Sequence, residues 1–136
     1  MPQTTIPYLT VKGAGKAIEF YRKAFSATEN GRVAAQDGRR LMHADLTING
    51  GSVMLSDEFP EHGGTPAPTL ERPTSVSIMI AFTSPRDVDA TFDRAVAAGA
   101  RGSMQPEDAF WGSRFAMLDD PFGHRWMLTA PLKAGV

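Results

Sequence analysis

Cysteine is absent from the 136 residues. That excludes a disulfide framework, a thiolate metal site and a cysteine nucleophile, and it suits a reducing, cytoplasmic setting. Histidine is scarce, with three in the chain, so an imidazole site has only His43, His62 and His124 to draw on. Nowhere do about 18 apolar residues follow one another. The opening MPQTTIPYLTV has neither a basic stretch nor an apolar run of signal-peptide length. By these signs the chain is neither exported nor membrane-spanning. Surplus charge is missing too: 14 Lys and Arg stand against 15 Asp and Glu, mixed without a basic stripe. Nucleic acid is therefore not an expected partner. No Ser-centred nucleophile motif, phosphate loop or dinucleotide fingerprint occurs, since Gly13-Ala14-Gly15 is too short and lacks the third glycine.

What is there suffices for a core. With 42% hydrophobic residues, a chain of this length buries roughly two-thirds of its unfolded surface. Ile6 to Lys12 alternates as a strand, Gly13 breaks it, and Ile18, Phe20, Tyr21, Ala24 and Phe25 recur at helical spacing. Arg40 to Asn49 and Gly51 to Asp57 read as strands around Asn49-Gly50, a hairpin signal because both turn residues need positive φ. The second half repeats the order: a strand over Ser75 to Phe82, a helix over Asp89 to Ala98 with Gly99 as its cap, and a hairpin over Arg114 to Ala130. The unit is βαβββ, written twice, over residues 5–58 and 75–131 of one domain spanning 1–136. Between them lies a Pro- and Gly-rich stretch, 59–74, that reads as an exposed linker. FYR at Phe20 answers FDR at Phe92, and VMLS at Val53 answers WMLT at Trp126. With Thr83-Ser84-Pro85 taken as a loop insertion, Tyr8 aligns with Ser77.

Two tandem βαβββ units with an Asp-Pro-Phe-Gly-His hook before the last strand resemble the glyoxalase, bleomycin resistance and dioxygenase group known as the vicinal oxygen chelate superfamily. The segments YLTVKGAGKAIEFYRKAFSA, MHADLTINGGSVMLSDE and FWGSRFAMLDDPFGHRWML are most similar to its PhnB-like branch. The resemblance implies an α+β fold of curved mixed sheets around a shared cavity, a small-molecule ligand and a homodimer. Strand alternation turns Val76, Ile78, Ile80 and Phe82 to the helices. It turns Tyr8, Thr10, Ser52, Met54, Ser56, Ser77, Met79, Ala81, Arg125, Met127 and Thr129 to the cavity. The family's metal enzymes take ligands from the first and last strand of each unit. Carried over, those places are Tyr8, Met54, Ser77 and Met127, none of which suits a hard or borderline divalent cation. No metal and no other cofactor is therefore expected.

The remaining polar residues carry two readings each. His43 and Asp45, two apart on one strand, share a face; they are an acid/base pair on a pocket wall, or part of a polar outer face or a dimer contact. Phe110, Trp111 and Arg114 offer rings and a guanidinium to a flat or anionic ligand, with Arg125 sharing the role; alternatively Trp111 fills core and Arg114 pairs with a carboxylate such as Asp57. Asp57 and Glu58 read as strand-end residues, His124 as structural and His62 as solvated. The leading expectation is a metal-free small-molecule binding protein, with ligand contacts at Tyr8, His43, Met54, Ser77, Met79, Trp111, Arg114, Arg125 and Met127. A lyase or dioxygenase recruiting a metal through His43, Asp45 or Glu58 is the alternative. A drug-sequestering resistance protein comes third, since trapping a cationic drug favours an acidic groove and the chain is near neutral.

Overall fold

The structure is a computed structural model and describes residues 3–133. Eleven elements appear in order, and apart from one 3-10 turn they divide into two copies of one plan. The first copy runs β1 (Tyr8–Val11), α1 (Ala14–Phe25), β2 (Thr28–Ala34), β3 (Leu41–Ile48) and β4 (Gly51–Asp57). The second runs β5 (Ser77–Ala81), α2 (Pro85–Ala97), β6 (Arg101–Asp108), β7 (Ser113–Asp119) and β8 (Arg125–Pro131). Each makes a four-stranded mixed sheet, ordered β1-β4-β3-β2 and β5-β8-β7-β6. The opening strand lies parallel to the closing one in each sheet, because the helix carries the chain back across. No helix among the described residues is long and apolar enough to cross a membrane.

Local chemistry sets the boundaries. Asn49 and Gly50 adopt φ of 49° and 82° and close the β3–β4 hairpin as their dipeptide predicts. α1 begins after Gly13 at φ 94°, and its first free N–H groups find an acceptor in Asp57, not in a capping side chain next to them. Asp57 Oδ1 accepts from the Gly13 and Ala14 amides at 2.8 and 2.9 Å, and Oδ2 from Leu41 at 2.7 Å. Asp57 therefore fastens the helix to its sheet and is not the partner of Arg114. α2 starts at Pro85, four residues ahead of the sequence expectation. Ser84-Pro85 is a helix start, with Pro at the first helical position, and not a loop insertion. Val76 is another correction: it is exposed, because β5 begins only at Ser77 and the Val76 amide is held by Thr74 Oγ1 at 3.1 Å.

The sheet pairing also corrects the internal alignment. Tyr8 pairs with Met54, and it is Met79 that pairs with Met127, while Ser77 pairs with Arg125. With Met54 and Met127 equivalent, the second-unit counterpart of Tyr8 is Met79, one strand repeat beyond Ser77.

The helices join the two units. Tyr21 and Phe25 of α1 pack on Trp126 of β8 with ring centroids 5.4 and 4.7 Å apart. Trp126 and Tyr21 are fully buried, and burying side chains of this size contributes on the order of 2–3 kcal/mol each. At the centre lies Asp120, whose Oδ2 accepts from the Tyr21 hydroxyl at 2.6 Å and the Trp126 indole at 2.9 Å. Its Oδ1 accepts from the amides of Phe122 and His124 at 2.8 and 3.0 Å. Burial, and then the neighbouring Asp120, push the Tyr21 phenol well above its ordinary pKa, so it remains a donor.

Two side-chain bonds cross between units at matching places. His124 donates from Nε2 to the Thr10 carbonyl at 2.9 Å, and Asn49 donates from Nδ2 to the Ala81 carbonyl at 2.7 Å. The expected structural role of His124 agrees with this. The segment 59–74 is largely exposed yet held down: Glu58 accepts the Ala67 amide at 2.7 Å, and Arg40 bonds Glu61 at 2.6 Å while lying over the Phe59 ring. Pro68 and Thr69 pass so close to Gly123, at φ 90°, that a Cβ there would stand 2.7 Å from their backbone. Asp120, Phe122, Gly123 and His124 of the hook are thus all occupied structurally.

Candidate ligand-binding site

Both helices pack on one side of the sheets, where Leu9, Val11, Leu46, Val53, Leu55, Ile80, Leu118 and Leu128 are buried. The other face of each sheet is open, and its side chains can be read in rows because paired residues stand side by side. One row of the first sheet runs Tyr8, Met54, Asp45, Gly31. The equivalent row of the second runs Met79, Met127, Met117, Met104, four thioethers across four strands. Met104 escapes a sequence reading that does not locate β6.

The first row is polar at its centre. His43 and Asp45 do share the open face, and the Tyr8 hydroxyl lies 2.9 Å from His43 Nδ1. Asp45 Oδ1 is shielded from solvent and accepts no hydrogen bond. Opposite it on β2 stands Gly31, where a Cβ would meet nothing within 4 Å. Tyr8 is 51% exposed and Met79 55% exposed, so neither open face is closed over at β1 or β5.

At the far end of the second face, Trp111 stacks edge-on to Phe115 at 5.7 Å, and Phe110 to Trp111 at 5.1 Å. Trp111 is 57% exposed and fills no core. Arg114 is held by Asp89 at 3.0 Å and Asp108 at 3.1 Å. Arg125 is held by Asp119 at 2.8 Å, with Arg101 3.6 Å away on the other carboxylate oxygen. Those partners push both guanidinium pKa values further up, so the two arginines are fixed cations already matched by carboxylates. The structure does not bring them together with Trp111 as free donors for an anion. Ser77 sits beside Arg125 at the entry of β5. Next to Tyr8 and Thr10, the held-down segment and the hook border an open cavity of about 490 Å³ lined also by Pro66, Pro68, Arg72 and His124.

Residues 3–128 match the family model described as Glyoxalase/Bleomycin resistance protein/Dioxygenase superfamily. The chain belongs to that superfamily. An uncharacterized protein of Mycobacterium tuberculosis (strain H37Rv) is 46% identical over 129 residues, covering 93% of this chain and 74% of its own length. Among solved structures, a PhnB protein from Bacillus cereus, described as a putative 3-demethylubiquinone-9 3-methyltransferase, superposes with a TM-score of 0.72 at 22% identity. It covers 94% of this chain and 99% of that one. The fosfomycin resistance protein FosX from Listeria monocytogenes, solved with Mn(II) and sulfate, superposes with a TM-score of 0.69 at 18% identity, over 96% and 91% of the two chains. At these identities the solved structures establish the shared superfamily fold.

Within the superfamily frame, the first- and last-strand positions hold Tyr8, Met54, Met79 and Met127. Thioethers are soft ligands and a neutral phenol is a weak one, so this set does not fit zinc, nickel, iron or manganese. Of the alternative ligands, Glu58 is bonded to the Ala67 amide. Among the described residues no group of three or more His, Asp or Glu side chains is placed to hold a metal ion.

Proposed function

We propose that this superfamily member is a homodimeric small-molecule binding protein that works without a transition metal, its ligand lying on the open sheet faces. The observation that carries the reading is the donor set at the four strand positions, Tyr8, Met54, Met79 and Met127, which offers polarizable and apolar surface where a divalent cation needs imidazole or carboxylate. The cavity of about 490 Å³ beside Tyr8 supports it, since sites for small organic molecules are commonly 300–1,000 Å³. Large apolar side chains left in solvent at Tyr8, Met79, Phe110 and Trp111 support a second copy that covers part of these faces. Elemental analysis of protein purified without chelators or added metal tests the first part, with zinc, nickel, iron and manganese all expected well below one equivalent. Sedimentation equilibrium tests the second. A stoichiometric metal, or a monomer at high concentration, removes the corresponding part of the reading.

A further inference from the structure

We propose that the open face of the first sheet binds a small organic ammonium, with its N–H groups on the Asp45 carboxylate and its body against Met54 and the Tyr8 ring. This rests on the reading of that face as a small-molecule site and specifies its ligand.

Among the described residues, Asp45 Oδ1 is the one buried side-chain nitrogen or oxygen with no hydrogen-bond partner. The buried carboxylates elsewhere in the chain show how such groups are normally treated. Asp57 receives three amides, Asp120 four donors, and Asp119 a guanidinium. A buried acceptor left without a donor is costly, and its persistence calls for a reason.

No neighbour supplies the donor. The Tyr8 hydroxyl and His43 Nδ1 engage one another. Arg22 and Arg32 are drawn to Glu29, and Arg40 to Asp37 and Glu61. Opposite Asp45 on β2 stands Gly31, where a Cβ would meet nothing within 4 Å, so no side chain from that strand covers the carboxylate.

The surroundings select a cation. A charge-assisted N–H···O bond is stronger than a neutral one. The phenol ring of Tyr8, half exposed at the end of the row, attracts an ammonium or the carbon atoms next to it through its π face. Met54, between Asp45 and Tyr8 in register, is a deformable apolar floor. From β3 across β4 to β1 is two strand spacings, about 10 Å, the length of an ammonium head with a short aryl or alkyl body.

The test compares three probes of one shape by isothermal titration calorimetry: 2-phenylethylammonium, 2-phenylethanol and 3-phenylpropanoate. The ammonium should bind at least about ten-fold more tightly than the alcohol, and the carboxylate more weakly still. Asp45→Asn keeps the shape and should weaken the ammonium about 10- to 100-fold while leaving the alcohol unchanged. Gly31→Val fills the open space and should weaken the ammonium by a similar factor; if Asp45→Asn does not fold, that variant decides. Equal binding of ammonium and alcohol, unaffected by either substitution, overturns the ammonium and leaves the small-molecule site standing. Binding of none of the probes at millimolar concentration overturns the ammonium, and a stoichiometric metal found in the same preparation removes the underlying reading as well.

Discussion

On the first sheet Tyr8, Met54, Asp45 and Gly31 occupy the places that Met79, Met127, Met117 and Met104 hold on the second. One row has a phenol, a lone carboxylate and a gap; the other is thioether throughout. The next row differs as well: the first sheet has a hydroxyl pair, Thr47–Ser52, where the second has the ion pair Asp119–Arg125. On the helix side the two sheets instead share one buried cluster. The packed side of a repeated unit is constrained by its partner unit, whereas the open side is free to take on separate chemistry. A twofold-looking scaffold thereby presents two unlike walls.

That contrast can be broken at its shared side first. Asp120→Ala leaves the Tyr21 hydroxyl, the Trp126 indole and two amides without their acceptor. It should cost about 4 kcal/mol in urea unfolding, and a cost near that of a surface substitution breaks the idea of a common core side. Exchanging the centres of the two rows sharpens the contrast. Met117→Asp sets a carboxylate among thioethers and should destabilise by about 2 kcal/mol. The mirror change, Asp45→Met, removes an unpartnered buried oxygen and should stabilise by about 1 kcal/mol, read as a raised melting temperature.

The smallest effect concerns the ion pair. The hydrogen bond from Arg125, helped by the charges of Arg125 and Arg101, holds the Asp119 carboxyl below its usual pKa. A depressed folded-state pKa stabilises above the unfolded value, about 3.9, and that contribution is lost as pH falls through the folded value. Arg125 is partly exposed, so Arg125→Met should cost only about 0.5 kcal/mol at neutral pH. The gap between parent and variant in chemical denaturation should close below about pH 4.

The α+β repeat, the Asn49-Gly50 turn and the buried strands were legible because alternation and turn chemistry are local signals. β2 and β6 were not. Thr28–Ala34 is almost wholly exposed, Arg101–Asp108 carries Pro106, and both are outer strands with register shifts, where neither hydrophobic alternation nor strand propensity is required. Losing β6 hid Met104, and with it the thioether row. The start of α2 was obscured because Ser84-Pro85 serves loops and helix starts alike. At the site, alternation rightly put His43 and Asp45 on one face. It carries no information on long-range partners, so the matching of Arg114 to Asp89 and of Asp57 to the α1 amides lay beyond it.

The bonds between the units also set a timetable. Tyr21 finds its acceptor 99 residues later, and the Thr10 carbonyl finds its donor 114 residues later. At about 5–20 residues per second of synthesis, the first unit emerges and stands for seconds with the aromatic face of α1 uncovered, awaiting the hook. Such distant closures slow folding and lengthen exposure to association. Synthesis of this chain therefore passes through a half-made stage whose sticky surface is the one that Trp126 and Phe122 later cover, and premature termination before the hook leaves that surface permanently bare.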